Sequence, residues 1–132
     1  MTQLFILKVL AATTAYFLLG VLWYSSLLFG PEWSKLVKKT GNKKSKIGAA
    51  AAHTVTFFGQ LLSCLVMGIL IVVLRILGAG DGAFFGMILG LAFVAMTMLS
   101  EAVYSGQPSK LYLINASYRV LGFALAGAII AP

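Results

Sequence analysis

The chain has one histidine, one cysteine and three acidic residues among 132. Each scarcity removes a class of chemistry. A lone cysteine, Cys64, allows no intramolecular disulfide, and with His53 as the single histidine no His-rich or Cys-rich metal site can be assembled. Glu32, Asp81 and Glu101 offer no paired catalytic carboxylates. There is no Ser-His-Asp set, no phosphate-cradling glycine loop and no dinucleotide fingerprint. The sequence therefore implies no enzyme, no cofactor and no metal. Charge as a whole is scarce, at 10% of residues, against about 25% in ordinary soluble domains. It is missing altogether from Val9 to Gly30, from Ile47 to Leu74 and from Gly82 to Ser100, and from Leu111 to Pro132 the one charge is Arg119.

What fills those stretches is apolar: 61% of the chain is hydrophobic and the mean hydropathy is +1.00. A bilayer core is crossed by about 20 apolar helical residues. The predicted fold is all-α, one domain over 1–132, an integral membrane bundle of four helices at about 4–29, 48–77, 82–104 and 110–131. The start lacks a basic stretch and a small-residue cleavage site, so the first run is read as a retained helix. Net charge is +7, yet six of the ten basic residues lie between Lys35 and Lys46. That distribution argues against nucleic acid and for the excess of lysine found in cytoplasmic loops. The loop 30–47 is placed in the cytoplasm and both termini outside, with the lipid bilayer as the first partner. Trp23, Tyr24 and Trp33, with Lys35, Lys38 and Lys39, are the expected anchors at the inner interface. Pro31 and Glu32 suit the first turn of a short interfacial helix, Lys38 and Lys39 its last turn, and Gly41 its end. Trp33, Leu36 and Val37 would face lipid.

Two segments on the predicted inner side resemble each other. Phe29-Gly30-Pro31-Glu32-Trp33-Ser34-Lys35-Leu36 and Tyr104-Ser105-Gly106-Gln107-Pro108-Ser109-Lys110-Leu111 both run aromatic, glycine, proline, then Ser-Lys-Leu. Two related helical hairpins would explain this, and so would two turns that use the same breakers independently.

Packing signals are strongest in the third helix. Gly82, Gly86 and Gly90 repeat every four residues, the zipper-like spacing that lets helices approach closely in lipid. Extended along the same face, the stripe reaches Thr97 and Glu101. Gly122 and Ala126 repeat the spacing in the fourth helix. Close contact of this kind serves the bundle or a second subunit, and a homo-oligomer or a place in a larger membrane complex is expected.

Ionisable and amide groups inside a membrane are costly, which makes them the candidate functional residues. Arg119 lies nine residues past Lys110, about 13 Å into the membrane at 1.5 Å per residue. Asn115 is one turn earlier on the same face, and Glu101 is the one acid within reach. The expectation is that Arg119 meets Glu101 or Asn115, either as a structural pair or as part of a ligand or ion pathway. His53, Thr56, Gln60 and Ser63 form a polar stripe on the second helix, suited to a hydrated path or to hydrogen bonds between helices. Binding or transport of a small molecule or lipid is the leading function, and an accessory subunit of a membrane complex is the alternative.

Leu22-Trp23-Tyr24-Ser25-Ser26-Leu27-Leu28-Phe29-Gly30, followed by Trp33, resembles the first-helix signature of a family of small bacterial membrane proteins, domain of unknown function 1761. Glu101, Gly106, Pro108, Lys110 and Leu111, then Leu113-Ile114-Asn115-Ala116 and Tyr118, are similar to that family's third-helix exit and fourth-helix start. The resemblance spans essentially the whole chain and implies four helices in a bacterial inner membrane, with no activity attached. Ser26 stands where the family usually has proline, and Arg119 where histidine is common. The second departure removes support for a proton relay at that position.

Overall fold

The computed structural model describes residues 2–39 and 48–132. It is all-helical among these residues: α1 Thr2–Trp23, α2 Gly30–Lys39, α3 Ala49–Val73, α4 Ala79–Ser105 and α5 Ser109–Ile130. Four of them, α1, α3, α4 and α5, are long and apolar enough to cross a membrane. Lys43, Lys44, Lys46 and the expected helix stop at Gly41 lie outside the described residues.

The helix ends follow local chemistry. The first helix stops at Trp23, six residues short of the expected 29, because Ser25 turns the chain. Its hydroxyl donates to the Leu22 carbonyl (2.6 Å), and its own carbonyl accepts the Leu28 and Gly30 amides (3.2 and 3.0 Å). These bonds satisfy backbone groups that the helix would otherwise have held. The following α2 is amphipathic: Trp33, Leu36 and Val37 are half-buried, while Pro31, Glu32, Ser34, Lys35 and Lys38 are exposed. At the end of α3, the Ile76 amide donates to the Ile71 carbonyl (3.0 Å) and the Arg75 amide to that of Val72 (3.2 Å). This paired closure needs a left-handed residue, here Arg75 at φ 56. The end of α4 closes the same way, from Gln107 to Ala102 (2.9 Å) and from Gly106 to Val103 (3.3 Å), with Gly106 at φ 69. The two look-alike segments thus share one end of the bundle but differ locally, since Gly30 opens a helix and Gly106 closes one.

Neighbours run antiparallel. Phe5 lies against Gly68 and Phe17 against Phe57, which joins α1 to α3. Trp23 donates from Nε1 to the Ile114 carbonyl (3.0 Å), and the Tyr16 ring lies against Gly122 near the middle of α5. Thus α5 packs against both α1 and α4 and is the most buried of the four spans. The core joins Val9, Ala12 and Tyr16 of α1 to Cys64, Met67 and Ile71 of α3 and Tyr118, Ala126 and Ile130 of α5.

The glycines of α4 are spent inside the chain. A Cβ on Gly82 would run into the backbone of Gly127, and one on Gly86 into the carbonyl of Phe123. At Gly90 the Cα of Val120 would be 3.0 Å away. Removing side chains lets the two helices touch along their backbones. The stripe does not continue to Thr97 and Glu101. Between Gly90 and Ala95 the helix widens into a π turn, in which the Met96 amide reaches back to the Leu91 carbonyl. One extra residue enters the turn, so the packed face passes from Gly90 to Ala95 and Ala102. Thr97 and Glu101 are rotated to the exposed side.

Candidate functional site

Arg119 is the eleventh of the 22 residues of α5. At 1.5 Å per residue it sits about 15 Å from either end, halfway along a helix long and apolar enough to cross a membrane. Its partners are phenols. Nη1 donates to the Tyr16 hydroxyl at 3.3 Å, and the guanidinium lies 5.2 Å from the centre of the Tyr118 ring. The expected pairing with Glu101 or Asn115 is not what forms. The π turn carries Glu101 away, and the Asn115 Oδ1 instead accepts the Tyr24 hydroxyl at 2.6 Å. Among the described residues, the one salt bridge joins Lys110 to Glu32 (3.2 Å) at the exposed end of the bundle, where it ties the first turn of α2 to that of α5. Arg119 therefore has neutral hydrogen-bonding and cation–π contacts, and no carboxylate cancels its charge.

Tyr16 was not singled out from the sequence, and Tyr118 was named only in the family resemblance, without a role. Tyr16 and Gly20 of α1 and Tyr24 just past its end lie four residues apart, a spacing that would have revealed a polar stripe opposite Arg119. The Tyr118 ring sits over Gly20, where a Cβ would come within 2.8 Å of the ring carbon bearing the hydroxyl. Its ring packs 5.2 Å from that of Tyr16 and 5.5 Å from that of Tyr24. Its hydroxyl donates to the Tyr16 carbonyl (3.2 Å) and accepts from Gln60 Nε2 (2.7 Å). Gln60 is only 3% exposed, and its Oε1 has no hydrogen-bond partner among the described residues. A buried carbonyl of this kind leaves an acceptor idle.

Two spaces meet at Arg119. One is a vestibule of about 1000 Å³ in the α2 half of the bundle, lined by Tyr24, Trp33, His53, Asn115, Tyr118 and Arg119. The other is a groove between α3 and α4, which diverge after their short connection. Gln60, Ser63, Val94 and Phe123 line it beside Arg119, over about 310 Å³. Thr56 borders both spaces. The polar stripe of α3 is thereby divided. His53 faces the vestibule, with its ring 5.8 Å from that of Phe17, while Gln60 and Ser63 face the groove. The hydroxyls of Thr56 and Ser63 donate to carbonyls four residues back, those of Ala52 and Gly59. The π turn of α4 lies at the level of Arg119, since Gly90 approaches the Arg119 and Val120 backbone. Tyr112 donates to the Ala95 carbonyl (2.7 Å) at the far side of that turn.

Of the residues expected at the inner interface, Trp23 and Tyr24 turn inward to Ile114 and Asn115. Trp33 packs its ring 5.7 Å from that of Tyr24 at the vestibule mouth. Lys35 and Lys38 are exposed. Among the described residues, no group of three His, Cys, Asp or Glu is placed to hold a metal.

Four long apolar helices around a buried polar cluster define a helical integral membrane protein. The family described as Protein of unknown function (DUF1761) matches residues 7–131, and the chain belongs to that family. No curated protein and no solved structure matches it.

Proposed function

We propose that the protein binds or transports a small anionic molecule through the polar site centred on Arg119. The observation that carries this reading is a guanidinium at mid-helix with phenol partners and no carboxylate. Arg119 is half-buried, a charge withdrawn from solvent without a counter-ion is costly, and an anion entering the vestibule relieves it. Arg119 supplies the charge and a two-pronged donor. Tyr16 and Tyr118 hold its side chain, and Asn115, tied to Tyr24, lines the approach. His53 lies nearer the mouth. In this reading the α2 end faces the cytoplasm of a bacterial inner membrane and both termini lie outside. The positive charge of the basic loop supports that orientation and would draw anions toward the mouth. The glycine face of α4, the best docking surface in the sequence, is occupied by α5, which weakens the accessory-subunit alternative.

Of the two tryptophans of the chain, Trp23 and Trp33, the second lines the vestibule, which makes the test direct. In neutral nanodiscs, iodide should quench their fluorescence with saturation, and caesium should not. Arg119→Gln should bring iodide down to the caesium level while Arg119→Lys keeps most of the effect. Equal quenching by the two ions in the unaltered protein would contradict the reading.

A further inference from the structure

The groove beside Arg119 does not end at the arginine. It continues between α3 and α4 toward their connecting turn as an apolar trough of about 370 Å³, walled by Leu62, Val66 and Leu70 on one side and Leu89 and Phe93 on the other. Phe123 forms the floor of both parts. A polar pocket beside a cation therefore adjoins an apolar trough that shares Ser63 and Phe123 with it.

Building on the anion-site reading, we infer that the ligand is a single-chain anionic amphiphile, a long-chain carboxylate, with its head at Arg119 and its hydrocarbon chain in the α3–α4 groove. The head is fixed by two features. Arg119 offers a paired donor to a carboxylate. Gln60 lines the groove beside it with its Oε1 buried and unpartnered among the described residues, and a half-turn of its amide would let Tyr118 donate to that oxygen and leave the NH₂ free for a new acceptor. The chain is fixed by the trough, whose lining is apolar apart from Ser63, a residue already bonded to its own helix. The volume of the trough, about 370 Å³, is of the order of one hydrocarbon chain and not two. The ligand would lie deeper than a lipid in its leaflet, with its head reached from the vestibule and its tail pointing to the α3–α4 turn.

Photolabelling in phosphatidylcholine nanodiscs tests this, using palmitate with a diazirine near the chain end and peptide mass spectrometry to locate adducts. Adducts should concentrate on residues 62–70 and 89–93. Unlabelled palmitate should suppress them about tenfold, whereas hexadecyltrimethylammonium and acetate at equal concentration should not, since the first lacks the charge and the second the chain. Arg119→Gln should suppress them to a similar degree and Arg119→Lys should retain them. If acetate competes as well as palmitate, the anion site stands and the chain-binding inference falls. If adducts survive in Arg119→Gln, or the ammonium amphiphile competes equally, the trough holds ordinary lipid and the inference falls. If neither palmitate nor acetate engages and iodide also fails, the anion-site reading falls with it.

Discussion

Toward the α3–α4 turn, the bundle closes. Gly82 and Gly127 meet backbone to backbone, Phe5 covers Gly68, and Met67, Ile71 and Ile130 fill the centre. Toward α2 the same helices part around a vestibule, and the residues between them are Tyr24, His53, Asn115 and Arg119. The two halves differ in side-chain size and polarity more than in helix path. Where small residues face one another, the backbones come together, as lipid-embedded helices require in the absence of a hydrophobic drive. Where tyrosines and the arginine stand between helices, their length holds the helices apart and their hydroxyls and amides need partners. The π turn of α4 falls at the border between these regimes. It lets one helix serve a tight glycine seam on one side of the border and a looser alanine face on the other.

The sharpest way to break the closed half is Gly86→Leu. Its side chain would displace the Phe123 carbonyl, so unfolding in detergent should show a loss of about 3 kcal/mol, the upper range for overpacking. Gly59→Ala is the matching control. Nothing lies within 4 Å of its added methyl, and stability should move by no more than about 1 kcal/mol. An equal loss in both variants would remove the distinction between the seam and the groove side of α3.

The turn that caps the closed half can be sharpened instead. Arg75 occupies a left-handed conformation that costs an ordinary residue about 1 kcal/mol. Arg75→Gly should raise stability by about that amount in the same assay, and a loss would mean the arginine side chain has a role at that end.

In the open half, effects should be smaller on stability. Tyr24→Phe removes the hydroxyl bonded to Asn115 and should cost about 0.6 kcal/mol, the mean for hydrogen bonds between membrane helices. Glu32→Ala breaks an ion pair whose side chains are 51% and 64% exposed. It should cost less than about 0.5 kcal/mol, and less again in high salt.

The sequence made the four spans readable because charge-free length is a strong and local signal. The end of α1 was less visible. Tyr24 to Phe29 is as free of charge as the helix before it, and the break depends on which carbonyls Ser25 captures. The glycine spacing in α4 identified its small-residue face. Its continuation to Glu101 failed because the extra residue of a π turn leaves no mark in composition, and that single step also undid the expected Arg119–Glu101 pair. Arg119 and Asn115 were visible as polar residues in an apolar run. Their real neighbours on α1 became visible only once α1 and α5 were placed side by side, since Tyr16 lies more than a hundred residues before its partner.

Native mass spectrometry of the protein, extracted gently from its own membrane, tests the central claim that Arg119 is a half-buried cation awaiting an anion. The account predicts that the unaltered chain carries a retained anionic small molecule or lipid, and that Arg119→Gln loses it without changing the subunit number. An unaltered protein with no anionic ligand, or an Arg119→Gln variant that keeps the same one, would contradict it.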